Sequence, residues 1–216
     1  MIILFDLDGT LIDSTEAILE SFHHAFTLHN HSQPDDVDIK DLIGHPLDYM
    51  FGALGVPQEK VWDFVESYKE HYRKISTQKT ELLPYAKEAI ELASEFALLG
   101  IVTTKTGEYS KILMEHFGVM DKFVTLIGRE HVQNPKPDPE PILKALESFS
   151  GYERQDVYMI GDTEMDLISA KEADINGIGV LGHYATKERL LKYTSTIFNN
   201  AYEAVEYLQR IKQTHN

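Results

Sequence analysis

Two aspartates separated by one residue follow an apolar run at the start of the chain. The run Ile2-Ile3-Leu4-Phe5 is rich in β-branched and aromatic residues, which is typical of a buried strand. Side chains alternate along a strand, so Asp6 and Asp8 would point to the same face. Gly9 then permits a tight turn. Carboxylates buried at a strand end cost free energy unless a cation or a hydrogen-bond donor meets them, so the sequence predicts a bound partner here.

Polar residues also follow two later apolar runs. Thr103 ends a predicted strand over 97–104, and Asp162 ends another, with Asp166 one helical turn beyond it. Lys136 stands between two prolines that stiffen its loop. Because ligands bind beyond the carboxyl ends of parallel strands, we expect these side chains to meet the first two aspartates in one site.

The residue types of this expected site indicate phosphoryl chemistry. Several carboxylates close together repel each other, which favours a divalent cation, and Mg2+ is the natural choice for oxygen ligands. A cation and a lysine neutralise phosphoryl oxygens, while a carboxylate can attack phosphorus.

The pattern of elements predicts an α/β fold with a helical insert. Helices are predicted after Asp13, with Ser14 as the N-cap of the first, and then over 34–42, 46–54 and 57–75. Residues 14–79 therefore form an all-helical segment inserted after the first strand. Strands and helices alternate from Leu82 onward, so residues 1–13 together with 80–216 are predicted to form a parallel sheet covered on both faces.

Composition narrows the range of partners. The chain has 216 residues, a formal net charge of -15 and no cysteine, so we expect no disulfide scaffold, no thiolate metal site and no affinity for nucleic acid. No apolar run approaches the length of a membrane span and no signal peptide is evident, which favours a cytoplasmic protein. The sequence leaves monomer and homodimer open.

Four segments in order resemble the haloacid dehalogenase-like hydrolase superfamily. They are Asp6-Leu7-Asp8-Gly9-Thr10-Leu11, Ile101-Val102-Thr103, Lys136-Pro137-Asp138-Pro139, and Gly161-Asp162-Thr163 with Asp166. The helical insert is similar to the small cap of the phosphoglycolate phosphatase and β-phosphoglucomutase branch. The resemblance implies a Rossmann-like core, Mg2+ as cofactor and an aspartyl-phosphate intermediate.

The resemblance also implies a role for each matching residue. Asp6 would be the nucleophile, and Asp8 would protonate the leaving oxygen and then activate water. Thr103 and Lys136 would bind the transferring phosphoryl group. The implied metal ligands are Asp6, Asp8 and Asp162, with Asp166 as an alternate ligand or a support behind the ligands.

Specificity is expected to depend on loops and on the insert. Gly9 and Thr104 flank the implied catalytic residues and are candidate substrate contacts, although Thr104 stands where asparagine is common in the family. The loop at Gly44 and His45 must fold back toward the nucleophile if the insert covers it, so both are further candidates. Trp62, Phe64, Tyr68 and Tyr72 indicate the core of the insert, with an aromatic facing the cleft left open.

The function that these residues favour is Mg2+-dependent hydrolysis of a small phosphate monoester, such as a phosphoglycolate-like or sugar phosphate metabolite. A phosphosugar mutase and a small-molecule pyrophosphatase of the same fold are the enzymatic alternatives. A catalytically silent binding module is the alternative outside enzymes, and the complete set of motif residues argues against it.

Overall fold

The computed structural model describes residues 1–214. Its helices and strands are, in chain order, β1 (Ile2–Phe5), β2 (Ile12–Asp13), α1 (Thr15–Leu28), α2 (Asp36–Lys40), α3 (Leu47–Ala53), α4 (Val61–Ile75), β3 (Glu81–Leu82), α5 (Ala86–Ser94), β4 (Leu98–Val102), α6 (Gly107–His116), β5 (Phe123–Ile127), α7 (Glu140–Leu146), β6 (Val157–Gly161), α8 (Glu164–Glu172), β7 (Asn176–Val180), α9 (Lys187–Leu190), β8 (Ile197–Phe198) and α10 (Ala201–Thr214).

A six-stranded parallel sheet forms the centre of the molecule in the order β5-β4-β1-β6-β7-β8. The side chains of β1 alternate between two hydrophobic clusters, one on each face of the sheet. Ile3 and Phe5 belong to one cluster, and Ile2 and Leu4 belong to the other. Burial on both faces explains why β1 is uninterruptedly apolar. The predicted α/β fold with a Rossmann-like sheet is confirmed.

Helices α1 to α4 pack into a separate cluster beside the carboxyl edge of the sheet. Phe22, Phe26, Phe51 and Phe64 are at its centre. The chain enters and leaves this region through β2 and β3, which pair as a short antiparallel ribbon. We call the helical segment the cap. The division at residues 14 and 79 stays a prediction, although the ribbon lies where it would place the two crossings.

Ser14 occupies the predicted N-cap position of α1, but its hydroxyl makes no capping hydrogen bond to the helix. The backbone N–H of Thr15 donates instead to Asp13 Oδ1 at 2.9 Å, and the Ser14 hydroxyl donates to Asp8 Oδ1. A serine hydroxyl can bind either a free helical N–H or a nearby carboxylate. Here the carboxylate is close because the turn after β1 brings Asp8 back toward the start of the helix.

No helix among residues 1–214 is both long enough and apolar enough to cross a bilayer.

We expect Phe5→Ala to lower the free energy of unfolding by about 3–5 kcal/mol, because it empties a fully buried site in β1 that also contacts the ring of Phe123. Urea denaturation measures the change. Val124→Ala is the control, because Val124 lies on an exposed position of β5 and its truncation should cost much less. Equal losses in the two variants would contradict the proposed importance of the β1 core.

Candidate active site

The predicted polar residues meet at the carboxyl edge of the sheet, where β1, β4 and β6 end side by side. The backbone N–H of Asp6 still donates to Ile160 O at 2.9 Å, so the end of β1 is fixed against β6. The N–H of Thr103 donates to Ile127 O at 2.9 Å in the same way. The strand ends therefore hold Asp6 and Thr103 through their backbones, before any side-chain contact is made.

Lys136 bridges two carboxylates from different motifs. Its Nζ donates to Asp6 Oδ1 at 2.8 Å, to Asp166 Oδ1 at 2.5 Å and to the carbonyl oxygen of Val102 at 2.9 Å. The side chain is only 3% exposed. Three acceptors use the three protons of the ammonium, so Lys136 is fully satisfied and held in one position.

Asp166 is held from its other side by the start of α8. Its Oδ2 accepts hydrogen bonds from the backbone N–H of Thr163 at 3.1 Å and from the Thr163 hydroxyl at 2.8 Å. Both carboxylate oxygens are thus used, one by Lys136 and one by Thr163. This arrangement supports Asp166 as a residue that positions Lys136 rather than as a primary metal ligand.

Asp162 is buried and incompletely satisfied. Its Oδ1 accepts a long hydrogen bond of 3.3 Å from the Thr10 hydroxyl, and its Oδ2 has no hydrogen-bond partner among residues 1–214. Ligand oxygens of Asp6, Asp162 and Asp166 all lie within 4.8 Å of one another. Buried carboxylates so close together are stable only if they bind protons or if positive charge lies between them.

The electrostatics of the cluster agree with this requirement. Burial raises the pKa of Asp6 to about 7, Lys136 opposes the rise, and Asp166 adds to it. Burial together with the charges of Asp6 and Asp166 raises the pKa of Asp162 well above its usual range. Burial alone would lower the pKa of Lys136, but the two carboxylates outweigh it and raise the pKa. One lysine therefore leaves the carboxylates undercompensated.

The donor set fits a hard divalent cation. Asp6 and Asp162 supply carboxylate oxygens on neighbouring strand ends, and the unsatisfied Asp162 Oδ2 shows that the protein alone does not complete the site. Oxygen ligands of this kind suit Mg2+. The carboxylate of Asp8 is not part of this group of three.

Gly9 is required by the turn that follows β1. Its φ of +81° lies in the left-handed region, and a Cβ there would stand 2.2 Å from Asp162 Oδ2 and 2.7 Å from the Tyr184 ring. The position therefore needs glycine for both backbone conformation and space. The turn carries the backbone directly past the carboxylate cluster.

The side chain of Asp8 binds residues outside the carboxylate cluster. Its Oδ1 accepts from the Ser14 hydroxyl, and its Oδ2 lies 3.1 Å from Lys105 Nζ. The ammonium of Lys105 also lies 4.5 Å from the centre of the Tyr72 ring in the cap. Burial would lower the pKa of Lys105, but Asp8 and the tyrosines hold it well above its usual range. Lys105 was not predicted as a site residue, although its position two residues after Thr103 gave a signal.

The remaining candidate substrate contacts lie where the site faces the cap. Gly44 packs against the loop that carries Asp162, because a Cβ on Gly44 would be 3.2 Å from Thr163 Cγ2. His45 stacks on Tyr49 with ring centres 4.5 Å apart, and burial lowers its pKa. Gly44, His45 and Thr104 all line a cavity of about 260 Å3 between the cap and the sheet, and Asp8 also lines it. The loop thus lies on the side of the cap that faces the catalytic edge.

Comparison with known proteins agrees with the fold and the motifs. The haloacid dehalogenase-like hydrolase family profile matches residues 3–180. The chain is 32% identical over 174 residues to pyrophosphatase PpaX of Halalkalibacterium halodurans, covering 80% of each chain. It is 34% identical over 197 residues to the protein named "Probable phosphatase IndB" of Dickeya dadantii, covering 88% of this chain and 84% of that one. A haloacid dehalogenase-like hydrolase structure from Bacteroides fragilis superposes with a TM-score of 0.88 at 26% identity, covering 94% of this chain and 98% of that chain.

The parallel sheet, the ordered motifs and these matches define a hydrolase with a catalytic edge rich in carboxylates. The chain belongs to the haloacid dehalogenase-like hydrolase family. The expected family resemblance is confirmed.

We expect Mg2+ to raise the free energy of unfolding, because a cation that binds only the folded site stabilises it by about 2.7 kcal/mol at one hundred times its dissociation constant. Asp162→Asn should abolish this increment. Thermal denaturation with Mg2+ and with chelator measures it, and Asp156→Asn, at the opposite end of β6 and exposed, is the control. An unchanged increment in Asp162→Asn would remove Asp162 from the cation site.

Proposed function

We propose that this protein is a Mg2+-dependent phosphatase that hydrolyses a small phosphate monoester through an aspartyl phosphate on Asp6. One observation carries the proposal: Lys136 joins Asp6 and Asp166 inside a buried carboxylate cluster that still has an unsatisfied oxygen on Asp162. A purely structural ion-pair network would have no reason to leave a buried carboxylate oxygen unpaired.

The first chemical step uses Asp6 as a nucleophile. A carboxylate oxygen of Asp6 forms a bond to phosphorus while the bond from phosphorus to the leaving oxygen breaks. Lys136 stands 2.8 Å from that carboxylate, so its ammonium can follow the phosphoryl oxygens as their charge shifts. The hydroxyl of Thr103 is held at the end of β4, where it accepts from the N–H of Lys105 at 3.1 Å and can donate to a phosphoryl oxygen.

Asp8 transfers the proton in both steps. It gives a proton to the departing alkoxide, so the alcohol leaves neutral, and it then takes a proton from the water that attacks phosphorus. The second attack releases inorganic phosphate and restores Asp6. Ser14 and Lys105 fix the carboxylate of Asp8 on the cavity side, where the leaving group would be.

The proposed Mg2+ would be held by Asp6 and Asp162, by the backbone carbonyl of Asp8, and with support from Asp166. When bound, it supplies positive charge that screens the carboxylates from the phosphoryl oxygens and so lets an anionic substrate approach. Gly9 and Thr104 would border the phosphoryl group, and Gly44 and His45 would contact the remainder of the substrate from the cap.

A pyrophosphatase is the second candidate, favoured by the name of the relative in Halalkalibacterium halodurans. The same steps would serve it, with phosphate in place of the alcohol as the leaving group. We further infer a cytoplasmic monomer or homodimer. We also infer that nucleic acid is not a partner, because a net charge of -15 would repel a phosphate backbone. Hydrolysis of a panel of phosphate esters and pyrophosphate, with Mg2+ and with chelator, tests the proposed function. Activity that persists after exhaustive chelation would contradict the metal requirement.

Asp6→Asn should abolish turnover and prevent covalent labelling, because an amide oxygen is not a nucleophile at phosphorus. Asp8→Asn should slow turnover by roughly two to four orders of magnitude, because it removes proton transfer and leaves the nucleophile in place. Mass spectrometry of rapidly quenched enzyme and trapping with beryllium fluoride separate the two variants. Wild-type turnover in Asp6→Asn would refute the assigned nucleophile.

Lys136→Met should reduce kcat/KM by at least about 100-fold, because it removes the charge beside the phosphoryl site. Lys144→Met provides the control, since Lys144 lies on the exposed side of α7 in the same region of the chain. Steady-state kinetics measure the loss, and circular dichroism confirms that the fold persists. Normal kinetics in Lys136→Met would make Lys136 a structural ion-pair residue only.

A further inference from the structure

The cavity between the cap and the sheet has walls unlike the rest of the site. Its volume is about 260 Å3. Its cap side includes buried apolar and aromatic side chains, among them Phe22, Met50, Val65, Tyr68 and Tyr72, and more of its surface is apolar than polar. Charged side chains, including Lys69 and Arg129, also contribute to the lining. A wall of this kind favours an apolar ligand surface and penalises unpaired polar groups.

The position of Asp8 decides which part of a substrate enters the cavity. Among the described residues, the cavity lining includes Asp8 but not Asp6 or Lys136. If Asp8 protonates the leaving oxygen, the atoms bonded to that oxygen must extend from Asp8 into the cavity. The phosphoryl group remains below, at the carboxylate cluster. The cavity is therefore the binding site of the leaving group.

The leaving group of pyrophosphate matches this cavity poorly. A second phosphate carries several charged oxygens that each need donors. The lining includes three cationic side chains, Lys69, Lys105 and Arg129, but the larger part of its surface is apolar. Lys105 is the cation nearest to Asp8, and it is already engaged by that carboxylate and by the Tyr72 ring. A phosphate would also fill only a small part of the space. A bulky organic group would replace water against these walls and gain hydrophobic free energy.

We propose that the leaving group of the natural substrate is a bulky, largely apolar or aromatic alcohol, and that pyrophosphate is a poor substrate. This inference rests on the proposed function, because it assigns the cavity through the role of Asp8. It also names the residues that select the substrate. Val65 is a buried lining residue, whereas Trp62 lines the cavity with 62% of its surface accessible.

Binding can be measured without turnover. Trp62 is the only tryptophan of the chain, so its fluorescence reports events at the cavity margin. Benzylphosphonate and methylphosphonate carry the same phosphonate group and cannot be cleaved at a phosphorus–oxygen ester bond. We expect benzylphosphonate with Mg2+ to perturb Trp62 and to bind at least about tenfold more tightly than methylphosphonate, by fluorescence and by calorimetry. Equal affinities would overturn the proposal even if the enzyme is an active phosphatase.

Hydrolysis gives the second measurement. Benzyl phosphate, methyl phosphate and pyrophosphate are compared by kcat/KM, and we expect benzyl phosphate to exceed both others by at least about tenfold. Benzyl and methyl esters both release alkyl alcohols, so the comparison reports binding of the leaving group more than its chemistry. A preference for pyrophosphate would overturn the proposal and favour the second candidate function.

Two variants connect the preference to the cavity. Val65→Phe fills the space and should reduce the ratio of benzyl to methyl phosphate hydrolysis by at least about tenfold. Val37→Phe makes the same change on an exposed part of the cap, where 66% of Val37 is accessible, and should leave the ratio unchanged.

Trp62→Ala should also lower the ratio of benzyl to methyl phosphate hydrolysis. Because Trp62 is exposed, this substitution does not disturb the packing of a hydrophobic core. An unaltered ratio in both cavity variants would overturn the proposal. If no ester is hydrolysed with Mg2+, the proposed function fails, whereas the phosphonate affinities still decide whether the cavity prefers an apolar group.

Discussion

Three carboxylates, with ligand oxygens within 4.8 Å of one another, and one ammonium are buried together at one edge of the sheet, and the neighbouring structure holds this charge in place. Isolated, each buried ion would cost several kcal/mol or more. Lys136 compensates part of that cost for Asp6 and Asp166 through bonds of 2.8 and 2.5 Å, and Asp162 is left with an unpaired oxygen. Asp6 and Asp162 cannot separate, because they follow the adjoining strands β1 and β6, whose backbones are hydrogen-bonded to each other.

The sheet and the cap contribute different parts of the proposed substrate site. Parallel strands fix the carboxylate cluster on rigid backbone, and the loop with Lys136 closes over it. The cap supplies the apolar walls of the cavity. Asp8 joins the two regions, because it follows β1 in the chain but is bound by Ser14 at the start of the cap and by Lys105, whose ammonium lies over the ring of Tyr72. A change in the cap can therefore reach the proposed proton donor without disturbing the proposed nucleophile.

Much of this arrangement could be predicted from the sequence, for physical reasons that differ by element. β1 is apolar throughout because both faces are covered, so its pattern is unambiguous, and the residues that follow strand ends must gather at one edge. The hydrogen-bond partners of individual side chains were harder to predict. Ser14 looks like a helix cap, yet its hydroxyl binds Asp8, and only the three-dimensional path of the turn decides between them.

Lys105 was missed because a lysine after a strand is usually solvated, and its burial depends on Tyr68 and Tyr72, which are more than thirty residues earlier in the chain. Trp62 and the two tyrosines showed helical spacing that indicates a core. The pattern could not show that the same rings also line a cavity, because that depends on how the cap packs against the sheet.

The position of the cap within the chain also affects how the protein is made. Strand β1 pairs with β4 and β6. Its residue Ile2 lies beside Leu98 on one side and Val157 on the other, and both partners are synthesised much later than Ile2. The cap lies in sequence between β1 and both of these strands, so its helices α1 and α4, which pack on each other, are synthesised before the sheet can form. Throughout that interval β1 is an unpaired apolar strand, which is the kind of segment that promotes aggregation. The length of the insert thus sets how long β1 stays unpaired in the nascent chain. A longer cap would give the chain more time to aggregate during synthesis without altering a native contact.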